Sequence, residues 1–136
     1  MAGDRKTLAQ QLGGLARLGL TTSVTVRGGS LLWTGTLKPT PLSDTYTMRI
    51  TYRPGEPAPE VRIVSPEIHA PEGGTLPHVY PGERLCLCYP HEWNGGKMIS
   101  RTIVPWAAEW LLHYEIWVAT DAWRGGGHEP ACARRR

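Results

Sequence analysis

Apolar residues recur at helical spacing in two places along the chain. In Thr7–Leu18, leucines follow one another at spacings of four, three and three, which form one face of an amphipathic helix. Thr7 is a candidate N-cap and Gly19 a candidate stop signal. The second segment, Val104–Thr120, is longer, and Pro105 suits the first helical position. We predict a helix in each segment, the second packed tightly against a sheet.

Between these helices, four segments alternate apolar and polar residues or are rich in β-branched residues, as strands are. They are Thr22–Val26, Leu31–Leu37, Thr45–Tyr52 and Val61–Ser65. The connections between them are short, which favours an antiparallel meander. A helix, four strands, a long loop and a large helix, in that order, predict an α+β fold.

The periodicity is lost between Pro66 and Thr102. An irregular stretch of this length is uncommon in a compact domain unless it has a function or is disordered. Its centre, Leu76–Gly96 (LPHVYPGERLCLCYPHEWNGG), is rich in aromatic, proline and cysteine residues. This composition is not typical of disorder, so we interpret the stretch as an ordered loop that carries a site.

The length of 136 residues predicts a single domain over residues 1–136, with residues 124–136 as a flexible tail. The formal charge is +3, and the cations show no basic stripe interleaved with aromatics, so nucleic acid is not an expected ligand. No apolar run is long enough to span a membrane, and the N-terminus lacks a secretory signal. We therefore expect a cytoplasmic protein.

Cys86 and Cys88 are the most distinctive pair in the loop. They could bind a metal, supply a nucleophile or fill the core. Structural zinc sites usually separate two cysteines by two to four residues, and only one residue lies between these two. A third cysteine, Cys132, leaves no second pair, so we expect neither a metal nor a cofactor. Three cysteines also fit a reducing compartment better than a disulfide scaffold.

A nucleophilic thiol needs exposure and electropositive surroundings. If the segment is extended, Cys86 and Cys88 share one face and the leucines between and before them share the other. Leu85 and Leu87 would then anchor the loop while the thiols face a cleft. Arg84, His78 and His91 are the basic residues close to Cys86 in sequence. Spacing alone does not choose between the thiols, or between catalysis and burial.

The stretch Pro57–Leu87 resembles the centre of ubiquitin-conjugating enzymes. That family has a proline-rich turn, a fourth strand, a His-Pro-Asn tripeptide, a Tyr-Pro turn and then Cys-Leu. Here Tyr80-Pro81 and Cys86-Leu87 match the last two features, which aligns Leu76-Pro77-His78 with His-Pro-Asn. The order of helix, meander, loop and large helix is also similar. The two further C-terminal helices usual in that family have no room after Thr120.

A closer resemblance is to bacterial conjugating-enzyme-like proteins of CBASS antiphage operons, which lie beside a cGAS/DncV-like nucleotidyltransferase. It is carried by YPGERLCL (residues 80–87), by TIVPWAAEWLLHYEIWVAT (residues 102–120) and by WRGGGH (residues 123–128). The resemblance implies a ubiquitin-conjugating-enzyme-like fold, with the long loop as its catalytic loop.

The same resemblance implies a transferase in which Cys86 forms a thioester with the C-terminus of a partner and passes it to an amine. The partner would be the nucleotidyltransferase or a ubiquitin-like protein, with or without a separate activating enzyme. His78 stands where the family has its oxyanion-binding Asn, and Asn94 and His113 are alternative donors. The alternative function is a catalytically inactive module that recognises a partner's C-terminus.

Overall fold

We describe a computed structural model of the chain, over residues 5–68, 79–80, 84–87 and 91–120. Two α-helices, one 3-10 helix and six strands lie in these ranges. In chain order they are α1 (Leu8–Arg17), β1 (Thr21–Arg27), β2 (Ser30–Leu37), β3 (Tyr46–Tyr52), β4 (Glu60–Ser65), β5 (Val79–Tyr80), β6 (Arg84–Leu85), the 3-10 helix (Ile99–Arg101) and α2 (Ile103–Thr120). The predicted α+β fold is confirmed: along the chain, one α-helix precedes and one follows a four-stranded antiparallel sheet.

Helix α1 begins and ends where its sequence signals predict. The Thr7 side chain accepts a hydrogen bond from the Gln10 backbone N–H, and the Gln10 side chain accepts one from the Thr7 N–H. This capping box satisfies two of the backbone donors that a helix N-terminus leaves free. Leu18 caps the other end, and Gly19 follows with a φ of 70°. That left-handed conformation favours glycine and ends the helix.

The four long strands form a meander in the order β1-β2-β3-β4. Strands β1 and β2 are joined by Gly28 and Gly29, both at positive φ, and Arg27 pairs with Ser30 across this turn. Two-residue hairpins need positive φ at these positions, which is why the glycine pair stands there. Strands β2 and β3 pair in continuous register. Leu31 lies opposite Tyr52 at one end of the pair, and Leu37 lies opposite Tyr46 at the other.

The core lies between one face of this sheet and helix α2. Alternate residues of β2 and β3 are buried, as expected for a sheet covered on one side. The buried residues of α2 are Ile103, Val104, Ala107, Trp110, Leu111 and Tyr114. Trp106 and Trp117 are partly buried at the edge of the same cluster. The tryptophan-rich segment is therefore mainly a packing surface, as predicted.

Helix α2 begins at Ile103, one residue earlier than the sequence predicts. Its first described i to i−4 hydrogen bond runs from the Trp106 N–H to the Thr102 carbonyl at 2.9 Å. Pro105 is thus the third residue of the helix and not the first. Proline is tolerated there because the first N–H groups of a helix have no intrahelical partner. No helix in the described part of the chain is long and apolar enough to cross a membrane.

Helix α1 is tied to the segment before α2 through a buried glutamine. The Gln11 amide donates to the Lys97 carbonyl at 2.9 Å, and its oxygen accepts from the Ile99 N–H at 2.8 Å. Gln11 is fully buried, so both of its polar atoms need these partners. The contact orders the backbone that leads from the candidate loop into α2.

The two glycines of α1 predict opposite effects of substitution. A Cβ on Gly14 would overlap Met98 and lie 2.8 Å from Ser100 Oγ, whereas a Cβ on Gly13 meets nothing within 4 Å. Gly13→Ala should stabilise the protein by up to about 1 kcal/mol through helix propensity. Gly14→Ala should destabilise it by about 1 kcal/mol or more, because overpacking outweighs that gain. Urea unfolding measures both, and equal stability of the two variants would contradict the packing described.

Candidate active site around Cys86

Cys86 directly follows a short antiparallel hairpin. In this hairpin Val79 pairs with Leu85 and Tyr80 with Arg84. Strand β6 also contacts β4, the edge strand of the main sheet. The hairpin therefore holds the backbone before Cys86 at a fixed place beside the sheet. The sequence predicts an irregular loop here, because strands of two residues are too short to show an alternating pattern.

An ion pair attaches the hairpin to β4. Arg84 Nη1 donates to Glu60 Oε2 at 2.9 Å, and Arg62 Nη1 lies 3.9 Å from Glu60 Oε1. All three side chains are partly exposed, so each pair contributes at most about 1 kcal/mol to stability. The geometry matters more than the energy, since it directs the Arg84 guanidinium towards β4.

The two leucines beside Cys86 anchor the segment, as predicted. Leu85 belongs to the core, and Leu87 is partly buried against it. Cys86 differs from the expectation of an exposed thiol, because it is only 3% exposed. Strand β6 ends at Leu85, so the alternation of faces that the expectation assumed does not continue through Cys86.

Cys86 is disulfide-bonded in the structure, and it is the one cysteine among the described residues. The sequence predicts free thiols in a reducing compartment, so this bond is a second difference between the expected and the observed Cys86. A disulfide forms where two cysteines come within bonding geometry, which the sequence does not reveal. A sulfur held in this bond is not a nucleophile, because the reactive species is the thiolate.

His78, the predicted oxyanion donor, and Cys88 lie outside the described residues. The alternative donor Asn94 is exposed and caps a turn: its Oδ1 accepts from the Gly96 N–H at 2.8 Å, and the Lys97 N–H donates to its carbonyl at 3.0 Å. This Asn94–Gly96 turn is the one predicted from the Asn-Gly-Gly sequence.

His113, the other alternative donor, lies on α2, where its Nε2 is 3.7 Å from Glu109 Oε2 one helical turn earlier. The histidine side chain is 19% exposed and the glutamate is largely exposed. This spacing is the ordinary i, i+4 arrangement on a helix surface. The contact gives His113 a neighbour on its own helix.

Trp93 fixes the loop that leads from the candidate site to α2. It is buried, its Nε1 donates to Thr102 Oγ1 at 2.9 Å, and its ring meets Tyr52 edge to face at 5.4 Å. The Thr102 hydroxyl in turn donates to the Met98 carbonyl at 2.8 Å. A buried indole with a satisfied N–H is a strong anchor. These contacts hold the backbone around Trp93 and Thr102 in place before α2.

A carboxylate on α2 holds the connection between β2 and β3. Glu115 accepts from the Ser43 hydroxyl at 2.8 Å and from the Tyr46 hydroxyl at 2.7 Å. Burial raises the pKa of Tyr46, and the hydrogen bond and charge of Glu115 raise it further. The phenol consequently remains protonated in the folded protein at pH values where it ionises in an unfolded chain.

This raised pKa predicts a loss of stability in alkali that depends on Tyr46. Above about pH 10 the unfolded state releases the phenolic proton and the folded state retains it, so the free energy of unfolding falls with pH. Tyr46→Phe should be less stable than the wild type by about 1.5–3 kcal/mol at pH 7, because the charged hydrogen bond is lost. That gap should narrow as pH rises above about 10. Urea unfolding across this range tests it, and a constant gap would refute the assignment.

Within the described ranges, no three histidine, cysteine, aspartate or glutamate side chains lie close enough together to hold a metal ion. The residues that sequence reasoning missed are partners and not reactive groups: Glu60, Thr102 and Gln11. Glu60 and Thr102 gave no local signal, because their partners Arg84 and Trp93 lie 24 and 9 residues away in the sequence, and such separations leave no spacing pattern. Gln11 did leave one, as a polar residue on the leucine face of α1.

Comparison with known proteins identifies the family. The family model described as Type II CBASS E2 protein matches residues 11–130, which include the hairpin, Cys86 and α2. Among curated proteins, none matches the chain. The match covers most of the sequence and agrees with the order of helix, meander, loop and large helix. The chain therefore belongs to the family of Type II CBASS E2 proteins, a conjugating-enzyme-like class of CBASS antiviral defence.

Proposed function

We propose that this protein is a cysteine-dependent acyl transferase whose Cys86 forms a thioester with the C-terminus of a partner and passes it to an amine. The observation that carries the proposal is the position of Cys86 in a family of E2 proteins: it follows a hairpin pinned to β4 and is flanked by two anchoring leucines. Such support fixes a reactive atom in space, as a nucleophile requires.

The chemistry has two acyl-transfer steps. In the first, the Cys86 thiolate attacks the carbonyl carbon of an activated C-terminus, such as its mixed anhydride with a nucleotide phosphate, and the phosphate leaves with the bonding electrons. In the second, an amine nitrogen attacks the thioester carbonyl, the Cys86 thiolate leaves, and the amine loses a proton to the solvent or a basic group. The products are an amide and the regenerated thiol.

Two features of Cys86 must change before the first step. Its disulfide must be reduced, and its nearly buried sulfur must become accessible to an acyl carbonyl. The disulfide state is therefore a resting form and not the reacting form. Arg84 is hydrogen-bonded to Glu60, and the Cys86 thiolate would need a cationic or hydrogen-bond-donating group close to its sulfur.

His78 is the residue we propose as the oxyanion donor. Both acyl transfers pass through a tetrahedral intermediate that needs a positioned hydrogen-bond donor. A histidine donates one N–H when neutral and two when protonated, so it can replace the amide of an asparagine. The assignment rests on the alignment of Leu76-Pro77-His78 with the His-Pro-Asn of ubiquitin-conjugating enzymes.

The partner we propose is another CBASS component, the cGAS/DncV-like nucleotidyltransferase, which would present its C-terminus to Cys86. A ubiquitin-like protein is the second possibility of the same chemical kind. Either would reach Cys86 directly or through an activating enzyme. Attachment of the nucleotidyltransferase to an amine would prime the antiviral response.

Co-expression with the nucleotidyltransferase tests this proposal. Intact-mass spectrometry under reducing conditions that spare thioesters should show an adduct of the mass of the two chains less one water. The adduct should be absent in Cys86→Ala and present in Cys88→Ala, which is the matched control. An adduct that persists in Cys86→Ala would assign the chemistry to another residue.

One observation favours a second function. A buried, disulfide-bonded Cys86 also suits a module of the same fold that recognises a partner's C-terminus without reacting. Such a module would bind the nucleotidyltransferase equally well as wild type, Cys86→Ala or Cys88→Ala, and would form no covalent adduct under reducing conditions. A pull-down run beside the mass measurement separates the two functions.

A further inference from the structure

We propose that the outer edge of β1 and the adjacent groove bind an extended, acidic segment of a partner protein, which adds a fifth strand to the sheet. This surface consists of β1 and of the groove walls: Leu12, Ala16, Gly19, Thr21, Val24 and Trp33. We call it the β1 groove. The inference does not depend on the chemistry proposed for Cys86.

The core-facing side of β1 is uncovered. Val24 pairs with Trp33 and Val26 with Leu31, and directly opposed residues of antiparallel strands point to the same face. Leu31 and Trp33 are at most 1% exposed, whereas Val24 is 44% and Val26 is 45% exposed. The face that is buried on β2 is thus open to solvent on β1.

The groove beside this face has the size of a side-chain pocket. It has a volume of about 380 Å³ and lies between α1 and β1, with Trp33 of β2 also in its lining. The Trp33 indole N–H already donates to Thr21 Oγ1 at 2.9 Å, so the ring is held in place. A preformed apolar recess next to a strand accepts alternate side chains of an added strand.

Strand β1 also has a free backbone edge. It is the first strand in the sheet order, and among the described residues it pairs with β2 alone. All seven of its residues are exposed. Alternate residues of such a strand direct their N–H and C=O groups outward, where they can pair with another chain. None of the prolines or inward-facing charges that protect natural edges occurs in its sequence TTSVTVR.

Charge indicates what would occupy this edge. Neither β1 nor the lining of its groove contains an aspartate or a glutamate. Arg17 adjoins the wall residue Ala16, and Arg27 ends β1; both are exposed. Neither takes part in the ion pairs found among the described residues. Such a surface attracts an acidic segment.

The positive charge beside β1 disfavours two other candidate occupants of this edge, a second copy of the chain and the chain's own C-terminal residues. A second copy would bring two cationic edges together, and like charges across an interface are repulsive. The chain's own residues 121–136 contain four arginines against two acidic residues, so they carry the wrong sign as well. A partner's extended segment, with acidic residues alternating with apolar ones, satisfies the backbone, the groove and the charge together.

This surface is remote from Cys86. Strand β1 lies at one edge of the sheet, while β4 at the other edge carries the contact with β6. Three strand spacings separate the edges, or roughly 14 Å. The β1 groove would therefore hold a partner in place and take no part in bond formation, so its substitution leaves the chemistry at Cys86 unchanged.

Fluorescence anisotropy with a labelled peptide of alternating glutamate and valine tests the proposal, with a lysine–valine peptide as charge control. The full-length protein should bind the acidic peptide and not the basic one. Arg17→Glu combined with Arg27→Glu should weaken binding about tenfold or more. The matched control, Arg53→Glu with Arg101→Glu, changes two exposed cations elsewhere and should leave binding unchanged.

Hydrogen exchange locates the bound peptide. It should slow exchange of the β1 amides, because half of them gain partners. The proposal is overturned if neither peptide binds, if both bind equally, if the two double variants bind alike, or if protection falls outside β1. Protection of β1 without peptide, in a protein that sediments as a dimer, would assign the edge to a second copy and also overturn it.

Discussion

Without reductant, the purified protein should form no adduct with its partner, and a phosphine reductant, which reduces disulfides and spares thioesters, should restore adduct formation. The reason is that Cys86 is disulfide-bonded, and an acyl group can be transferred only to a free thiolate. Alkylation under denaturing conditions counts the free thiols and so verifies whether the disulfide is present. Since the chain has three cysteines, an internal disulfide leaves one thiol to alkylate before reduction and three afterwards.

Single substitutions identify the second sulfur of this bond. The other two cysteines are Cys88 and Cys132. Replacing the one that is bonded to Cys86 with serine should remove the reductant requirement, while replacing the other should leave it intact. If oxidised wild-type protein, with its disulfide verified by alkylation, forms as much adduct as reduced protein, then Cys86 is not the acceptor.

The second large effect concerns His78. His78→Ala should slow transfer of the acyl group from the Cys86 thioester to an amine by about 10²–10³-fold, the usual cost of one lost oxyanion donor. His78→Asn should retain transfer, because it restores the residue that ubiquitin-conjugating enzymes use. The measurement is single-turnover decay of a preformed thioester in the presence of a small amine.

A second histidine of the same segment supplies the control. His91 is exposed, and His91→Ala should change the transfer rate little. Thermal unfolding of each variant separates a lost donor from a lost fold. A His78→Ala variant that folds normally and transfers at the wild-type rate would exclude His78 as the donor and return attention to Asn94 and His113.

Local signals predicted most of the fold. Thr7 and Gln10 form the capping box that fixes the start of α1, and alternation placed the four long strands within a few residues of their observed bounds. Helix α2 was clear from its periodicity, although the predicted start, which relied on Pro105, is one residue later than the observed start at Ile103. These features depend on neighbours along the chain, which is why the sequence alone reveals them.

The candidate site was harder to predict, because its geometry depends on distant contacts. The role proposed for Cys86 was predicted from the family resemblance. Its burial was not predicted, because the strand alternation used for that expectation ends at Leu85. The Glu60–Arg84 pair brings together residues from two elements, and the disulfide depends on the approach of two cysteines in space. The open core face of β1 was equally hidden, because TTSVTVR alternates like any half-buried strand.

The proposed transferase activity requires a covalent bond between Cys86 and the partner's C-terminus. Co-expression of Cys86→Ser with the nucleotidyltransferase, followed by intact-mass measurement and fragmentation of the linked peptide, tests it. A serine hydroxyl at this position should trap the partner's C-terminus as an ester that survives thiols and is cleaved by hydroxylamine. We predict a single link between that C-terminus and residue 86. A partner that binds Cys86→Ser and the reduced wild-type protein but is linked to neither would contradict the transferase and leave a recognition module.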